Sequence, residues 1–320
     1  MKVSIITVCY NSVSTIATAI ASVLGQTYPV IEYIVVDGGS KDGTVSIAKS
    51  YISKFEAKSY KMKVLSEPDE GMYDAINKGI RMATGDVIGI LNADDFLADD
   101  GVVERIAEVF LTAENAASLR QMATAARKNT KIDVVYGDVR FVRECANARM
   151  RECANAESSQ VSTNELTNYR TNELVSLRQA TTLRYYSAKR WKPWMLQWGY
   201  MPPHPGVYIR RELFERLGYY KLGYHIAADY ELLIRYLHKN RLNMQYHSTC
   251  IVAMRPGGKS TKNWRSNVLL NQEIVRGNQE NGYVCCIPML MPKYVFKVFE
   301  YIVPWVKTLF RNTKCLEIDN

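Results

Sequence analysis

Hydrophobic and polar positions along the first hundred residues follow two periods in alternation. The runs Val3 to Val8, Tyr33 to Val36 and Val87 to Leu91 are short and continuously apolar, as strands buried on both faces are, and Lys63 to Ser66 reads as another strand. Between them Ile16, Ile20, Val23 and Leu24 recur at helical spacing up to Gly25, with Ser12 or Ser14 available as a cap. A turn-rich stretch from Asp37 to Gly43 opens a second helix, and a third spans Met72 to Met82. Strand and helix in alternation predict an α/β domain: a Rossmann-like, mostly parallel central sheet flanked by helices. Open sheets of this kind bind ligands at the carboxyl ends of their strands. Here those ends run into Asp37, into Glu67-Pro68-Asp69, and into Asn92-Ala93-Asp94-Asp95.

Beyond residue 100 a helix is expected from Gly101 to Phe110, then a polar, Ala-rich stretch to about Thr130, then one or two strands between Asp133 and Phe141. Two motifs then repeat at an eight-residue interval. Arg143-Glu144-Cys145-Ala146-Asn147-Ala148 recurs from Arg151, and Thr163-Asn164-Glu165-Leu166 recurs from Thr171. Such octets are too short and polar for a solenoid, so 143–183 reads as an inserted, exposed excursion. No matching His or Cys pair accompanies Cys145 and Cys153, which argues against a metal role for them. Order returns with Trp191, Trp194, Trp198 and Tyr200, a turn through His204-Pro205-Gly206, a strand Val207 to Ile209 and a helix Arg211 to Leu217. Asp229 then stands at the start of a helix running from Leu232 to His238.

The chain has 320 residues, ample apolar content for a core, and a formal charge of +9. That charge calls for an anionic partner: nucleic acid, phospholipid or a phosphorylated substrate. With no zinc-ligand spacing and no basic base-reading helix, nucleic acid is set aside. Seven cysteines without a regular framework point to a reducing compartment, the cytoplasm. The amino terminus lacks the apolar run of a signal peptide, and no window reaches the roughly 18 to 20 apolar residues of a span, so membrane contact is expected to be peripheral. No G-x-G-x-x-G or Walker loop follows the first strand, which excludes dehydrogenase and P-loop readings.

The acids after Leu91 repel one another unless a cation sits among them, and Mg²⁺ or Mn²⁺ with substrate phosphate is the usual answer; the alternative is a plain helix cap. Trp198 reads either as core or as a stacking surface for a sugar. His204 is as apt for a structural as for a catalytic role. The glycine-rich basic loop Met254 to Lys262, with Lys259 and Ser260, suits a phosphate. From Pro292 to Arg311 aromatics are interspersed with Lys293, Lys297, Lys307 and Arg311, as in an interfacial helix on an anionic membrane or a segment packed back on the domain.

Ser4 to Val8 with Tyr10-Asn11, Val35 to Thr44, Asp69-Glu70-Gly71 with Asn77-Lys78-Gly79, and Gly85-Asp86 leading into Asn92 to Asp95 resemble the family 2 glycosyltransferases of the GT-A fold. The resemblance continues through His204-Pro205, Arg211 to Phe214, Gly218 and Ala228 to Leu232. It implies a nucleotide-sugar-binding half over 1–112, an acceptor-binding and catalytic-base half over 113–284 and an amphipathic membrane-associating tail over 285–320. Thr7, Tyr10 and Asp37, with Gly39 and Ser40, would line the nucleotide site, Asp69 and Lys78 would contact the nucleotide, and Asn92-Ala93-Asp94 would be the D-x-D motif. Asn92 replaces the first acid, leaving Asp94 as principal metal ligand with Asp95 in support. Asp229 stands at the position of the base. The missing Q-x-x-R-W signature favours transfer of one sugar over polymerisation. The expected reaction is inverting transfer from a nucleotide-diphosphate sugar, UDP-sugar favoured, to a lipid-linked saccharide on the cytoplasmic membrane face during surface-polysaccharide synthesis. The alternatives are a sugar-phosphate nucleotidyltransferase and a non-catalytic carbohydrate-binding or membrane-scaffold protein.

Overall fold

The structure, a computed structural model, describes residues 1–123, 131–142, 174, 178–256 and 264–293. Strands β1 (Val3–Cys9), β2 (Ile31–Asp37), β3 (Lys61–Ser66) and β4 (Val87–Ile90) lie parallel in the spatial order β3-β2-β1-β4. Every residue of β1, β2 and β4 is buried, which explains their unbroken apolar runs; β3, at the sheet edge, is half exposed and correspondingly polar. Helices α1 (Ile16–Leu24), α2 (Thr44–Ser50) and α3 (Ile52–Ala57) bury their apolar sides on one face of the sheet, and α4 (Met72–Met82) covers the other. Close packing of α4 depends on Gly79, where a Cβ would lie 2.5 Å from Ile6 Cγ2.

After β4 the sheet changes character. β8 (Val207–Arg210) pairs antiparallel with β4, β6 (Val134–Val142) antiparallel with β8, and β9 (Met244–Met254) parallel with β6. Two short strands complete it: β5 (Phe96–Leu97) beside β9 and β7 (Thr182–Tyr186) beside β6. One continuous sheet of nine described strands therefore passes through both expected halves, and α5 (Val102–Ala123) runs across residue 112. Helices α6 (Glu212–Leu217), α7 (Ala228–Leu233), continued by a π turn over Ile234–Lys239, and α8 (Trp264–Glu280) follow in chain order.

Several expectations are corrected. The alternative of a plain cap by Asp94 or Asp95 is not what precedes α5: Asp99 Oδ1 accepts the Gly101 N–H at 2.9 Å in the turn before the helix, and the Asp99 carboxylate pairs with Arg105. Neither Ser12 nor Ser14 caps α1, whose N-cap is Thr15. The excursion expected over 143–183 is part of the fold at its far end. Leu174 and Ala180 are buried, Arg178 pairs with Asp100 at 2.7 Å, and Thr182 begins β7. The octets up to 173 lie outside the described residues. Lys293, expected among membrane-facing cations, is buried and donates from Nζ to Asn271 Oδ1 at 2.5 Å. The rest of the tail, with Lys297, Lys307 and Arg311, lies outside the described residues.

Candidate active site

The order of connections places the site. From β1 the chain moves outward through α1 to β2 and β3, then α4 carries it back to β4 on the opposite side of β1. That reversal opens a crevice at the carboxyl ends of β1 and β4, where neighbouring loops leave in opposite directions. Because β8 is antiparallel to β4, its amino end, with His204, meets the same edge. β6 is parallel to β4 and brings its carboxyl end there too.

At the β1 end Tyr10 is 63% exposed, and Asn11 takes a left-handed conformation, φ 47°. Asn11 ties this turn to the β2 loop: its N–H donates to Ser40 Oγ at 2.7 Å and its Oδ1 accepts the Lys41 N–H at 3.1 Å. Asp37 shapes that loop from inside. Its carboxylate accepts the N–H groups of Gly39 (3.0 Å) and Ser40 (2.9 Å) and the hydroxyls of Ser40 and Ser66. Burial pushes this carboxyl upward, but the Ser40 and Ser66 donors outweigh it and hold it below its usual value. Asp37 is thus a fully buried brace for the loop after β2, in which Gly39 and Ser40 are half-buried. Thr7 does not reach the crevice; it is buried and accepts a 2.8 Å hydrogen bond from Tyr33 Oη beneath the helices. Asp69 lies against Gly38, with no room for a Cβ between them, and accepts the Gly71 N–H at 2.8 Å. Lys78 pairs with Glu67 at 2.9 Å and Asp74 at 3.2 Å and donates to the Pro68 carbonyl, so it fastens this loop to α4.

At the β4 end the two acids separate in role. Asp94 is exposed. Asp95 is buried; Asn92 Nδ2 donates to its Oδ2 at 2.9 Å, and the Arg255 backbone N–H donates to it as well. Burial first, then the charge of Asp94, pushes its carboxyl up to about 8, against the pull of Asn92 and Arg255. Arg255, at the end of β9, also donates from Nη1 to the Asp94 carbonyl at 2.9 Å and from Nη2 to Thr18 Oγ1 at 3.3 Å. This arginine was not singled out from sequence, where it looked like one more cation of a basic loop. Lys259 and Ser260 of that loop lie outside the described residues. Ala93 is buried between the two polar positions.

The second cluster belongs to α7. Asp229 sits half-buried in the first helical turn, two residues in from the N-cap position. Burial raises its pKa, opposed by the nearby His204 and by the Tyr230 N–H, which donates to it at 2.8 Å. His204 Nε2 lies 2.6 Å from Tyr220 Oη, and burial lowers the imidazole's pKa, which favours its neutral form despite Asp229. Tyr73 of α4 stacks on Tyr220 with ring centroids 5.8 Å apart and donates its hydroxyl to the Ile226 carbonyl at 2.5 Å. Asn77, also of α4, exchanges hydrogen bonds with both backbone groups of Tyr220, at 2.8 and 3.0 Å. The helix that follows the Asp69 loop therefore also grips the Asp229 cluster. Trp198, 38% exposed, ends a turn whose Leu196 carbonyl accepts the Tyr230 hydroxyl. A cleft of about 400 Å³ lined by Lys131, Glu212, Arg216 and Arg241 sits at the opposite sheet edge, away from all these groups.

A curled, partly parallel sheet with acids at its carboxyl edge is the GT-A glycosyltransferase architecture. TarS residues 1–349 of S. aureus, in complex with UDP-GlcNAc, superimposes with a TM-score of 0.54 at 15% identity, over 86% of this chain and 67% of that one. The mannosyltransferase PcManGT of Pyrobaculum calidifontis, in complex with GDP-Man and Mn²⁺, gives 0.51 at 16% identity, over 91% and 68%. Against the longer TarS chain the match spans only 40% of that protein. In sequence, residues 4–151 match the model of glycosyl transferase family 2. A PGL/p-HBAD biosynthesis glycosyltransferase of Mycobacterium tuberculosis is 24% identical over 273 residues, 85% of this chain and 82% of the relative. An uncharacterized glycosyltransferase of Nostoc is 36% identical over 115 residues, 36% of this chain and 34% of the relative.

Proposed function

We propose that the protein transfers one sugar, with inversion, from a nucleotide-diphosphate sugar to a hydroxyl of a lipid-linked saccharide. The observation that carries this reading is a pair of carboxylates of different character at one sheet edge: Asp94, open to solvent, and Asp229, half-buried beside His204. A UDP-sugar is the favoured donor, and the TarS complex with UDP-GlcNAc supports it.

Asp94 suits a Mg²⁺ or Mn²⁺ ion. Among the described residues no cluster of three or more His, Cys, Asp or Glu side chains could cage a metal alone. An ion that takes one protein carboxylate and completes its shell with diphosphate oxygens needs no such cage. When bound, such an ion neutralises the charge of the departing diphosphate. Asp95 and Arg255 set the orientation of Asp94 from beneath. Asp229, its pKa raised by burial, takes the proton of the attacking hydroxyl. Turnover should therefore fall as pH drops through that raised pKa. A single displacement inverts the anomeric carbon, and Trp198 and His204 flank the acceptor.

The acceptor's lipid carrier calls for a seat on the cytoplasmic membrane face. No helix among the described residues is long and apolar enough to cross a membrane. Exposed Trp194 and Trp198, beside the exposed cation Lys192, support interfacial contact, as does the aromatic and basic composition of the tail.

The test is a pair of variants. Asp94→Ala should remove Mn²⁺-dependent UDP binding in calorimetry while the fold persists. Asp229→Asn should keep that binding and slow turnover by roughly 10²- to 10⁴-fold. Unchanged metal-dependent affinity in the first, or near-parent turnover in the second, sinks the respective assignment.

A further inference from the structure

The short helix that carries Asp229 has no cap of its own. Ala227 occupies its N-cap and offers no side-chain cap, and in the first turn the Tyr230 N–H donates to Asp229 itself. The segment that leads into it is held from another helix. Glu273 of α8, buried at 5% exposure, accepts the N–H of His225 on Oε1 at 2.7 Å and those of Ile226 and Ala227 on Oε2 at 2.9 and 2.8 Å. The Ile226 peptide is thereby held at both ends, since its carbonyl accepts the Tyr73 hydroxyl.

We propose that Glu273 is the positioning residue for Asp229: one carboxylate, reaching over from α8, fixes the 225–227 segment and so the direction in which the base is presented to the acceptor. The inference rests on the reading of Asp229 as base. A carboxylate suits the task better than its amide, because both oxygens accept, whereas glutamine offers one acceptor and turns an NH₂ toward a donor. It also places a second negative charge beside the base. The charged and titratable groups facing Asp229 are then His204, which draws its pKa down, Glu273, which pushes it up, and the hydroxyls of Tyr73 and Tyr220.

This gives Glu273 a signature that a merely structural glutamate lacks. In Glu273→Gln, kcat for hydrolysis of whichever of UDP-N-acetylglucosamine, UDP-glucose and GDP-mannose the parent turns over fastest should fall roughly 10- to 100-fold, the scale of a displaced reacting group. The donor KM should stay near the parent value, and the acid limb of the pH–rate profile should move to lower pH, because a negative neighbour has been removed. Glu273→Asp keeps the charge but falls a methylene short of three donors, so kcat should drop while the acid limb stays in place. Parent-like kcat in both variants overturns the inference, as does a donor KM that rises in step with the fall in kcat. Asp229→Asn measured alongside separates the two levels. If it is inactive while both Glu273 variants behave as parent, only the Glu273 inference fails; if it retains near-parent turnover, the base assignment fails and this inference with it.

Discussion

Replacing Glu32 by glutamine separates what holds the sheet together from what serves the site. Glu32 lies within β2, side chain fully buried, at the edge opposite the crevice. Its Oε2 accepts Ser4 Oγ and the Thr84 N–H, both at 2.7 Å, and its Oε1 accepts Thr84 Oγ1 and Lys63 Nζ, both at 2.9 Å. These bonds tie β1, β2 and β3 to the turn that launches β4. Burial alone would raise the carboxyl's pKa, but the donors outweigh it and bring it from 4.5 to about 2. A drop of that size corresponds to about 3 kcal/mol of stability at neutral pH. Because the folded pKa is depressed, this contribution is complete above 4.5 and is lost as pH falls toward 2. Glu32→Gln should therefore cost about 3 kcal/mol in urea unfolding at pH 7 and lower Tm by roughly 5 to 10 °C. By pH 3.5 its deficit against the parent should have narrowed by more than about 1 kcal/mol. Mn²⁺-dependent UDP affinity should not change under conditions where the variant is folded. A cost below about 1 kcal/mol at pH 7, or a deficit that is the same at both pH values, would refute the reasoning.

Three further outcomes follow from the site. Arg255→Met leaves the Asp94 carbonyl and the Thr18 hydroxyl without this donor and Asp95 without its neighbouring cation; UDP–Mn²⁺ affinity should drop at least roughly tenfold, read by calorimetry, with a loss of about 2 kcal/mol in stability. Gly38→Ala forces the Asp69 carboxylate aside without touching the core, so UDP affinity should fall by about tenfold, on the order of 1.4 kcal/mol, while Tm moves by under a few degrees. A chain ending at Lys293 keeps the buried Leu290 and Lys293, and should lose sedimentation with anionic liposomes at low salt that the full chain shows; equal recovery of both in the supernatant would remove the tail from the membrane reading.

The parallel half of the fold was legible because its strands are buried on both faces, and the apolar runs of β1, β2 and β4 betray that directly. β9 was missed because it alternates between half-buried and exposed positions over most of its length, and β5 because two residues make no pattern. In the site, acids at strand ends pointed to Asp94 and Asp229. Their division into exposed and buried partners depends on contacts with no sequence signature: Arg255 under Asp94, Glu273 above Asp229. Thr7, carried to the nucleotide site by resemblance alone, is buried in β1 and accepts the Tyr33 hydroxyl, a contact with no signature in the sequence. Lys293 and Leu174 likewise sat in stretches whose composition said surface, although each is buried by a distant part of the chain.

The connection between β6 and β7 leaves and rejoins the sheet on the edge that also carries Asp94 and His204, and its sequence is written in units of eight. Tandem units of this kind are gained and lost together in replication slippage. In this chain such an event would spare the sheet. Leu166 holds in its unit the place that the buried Leu174 holds in the next, so removing one copy supplies an equivalent leucine at the junction. The pairing of Val142 with Thr182 lies outside both units and keeps its register. A single recombination step could thus lengthen or shorten the connection between β6 and β7 by eight residues while the strands on either side of it are inherited intact.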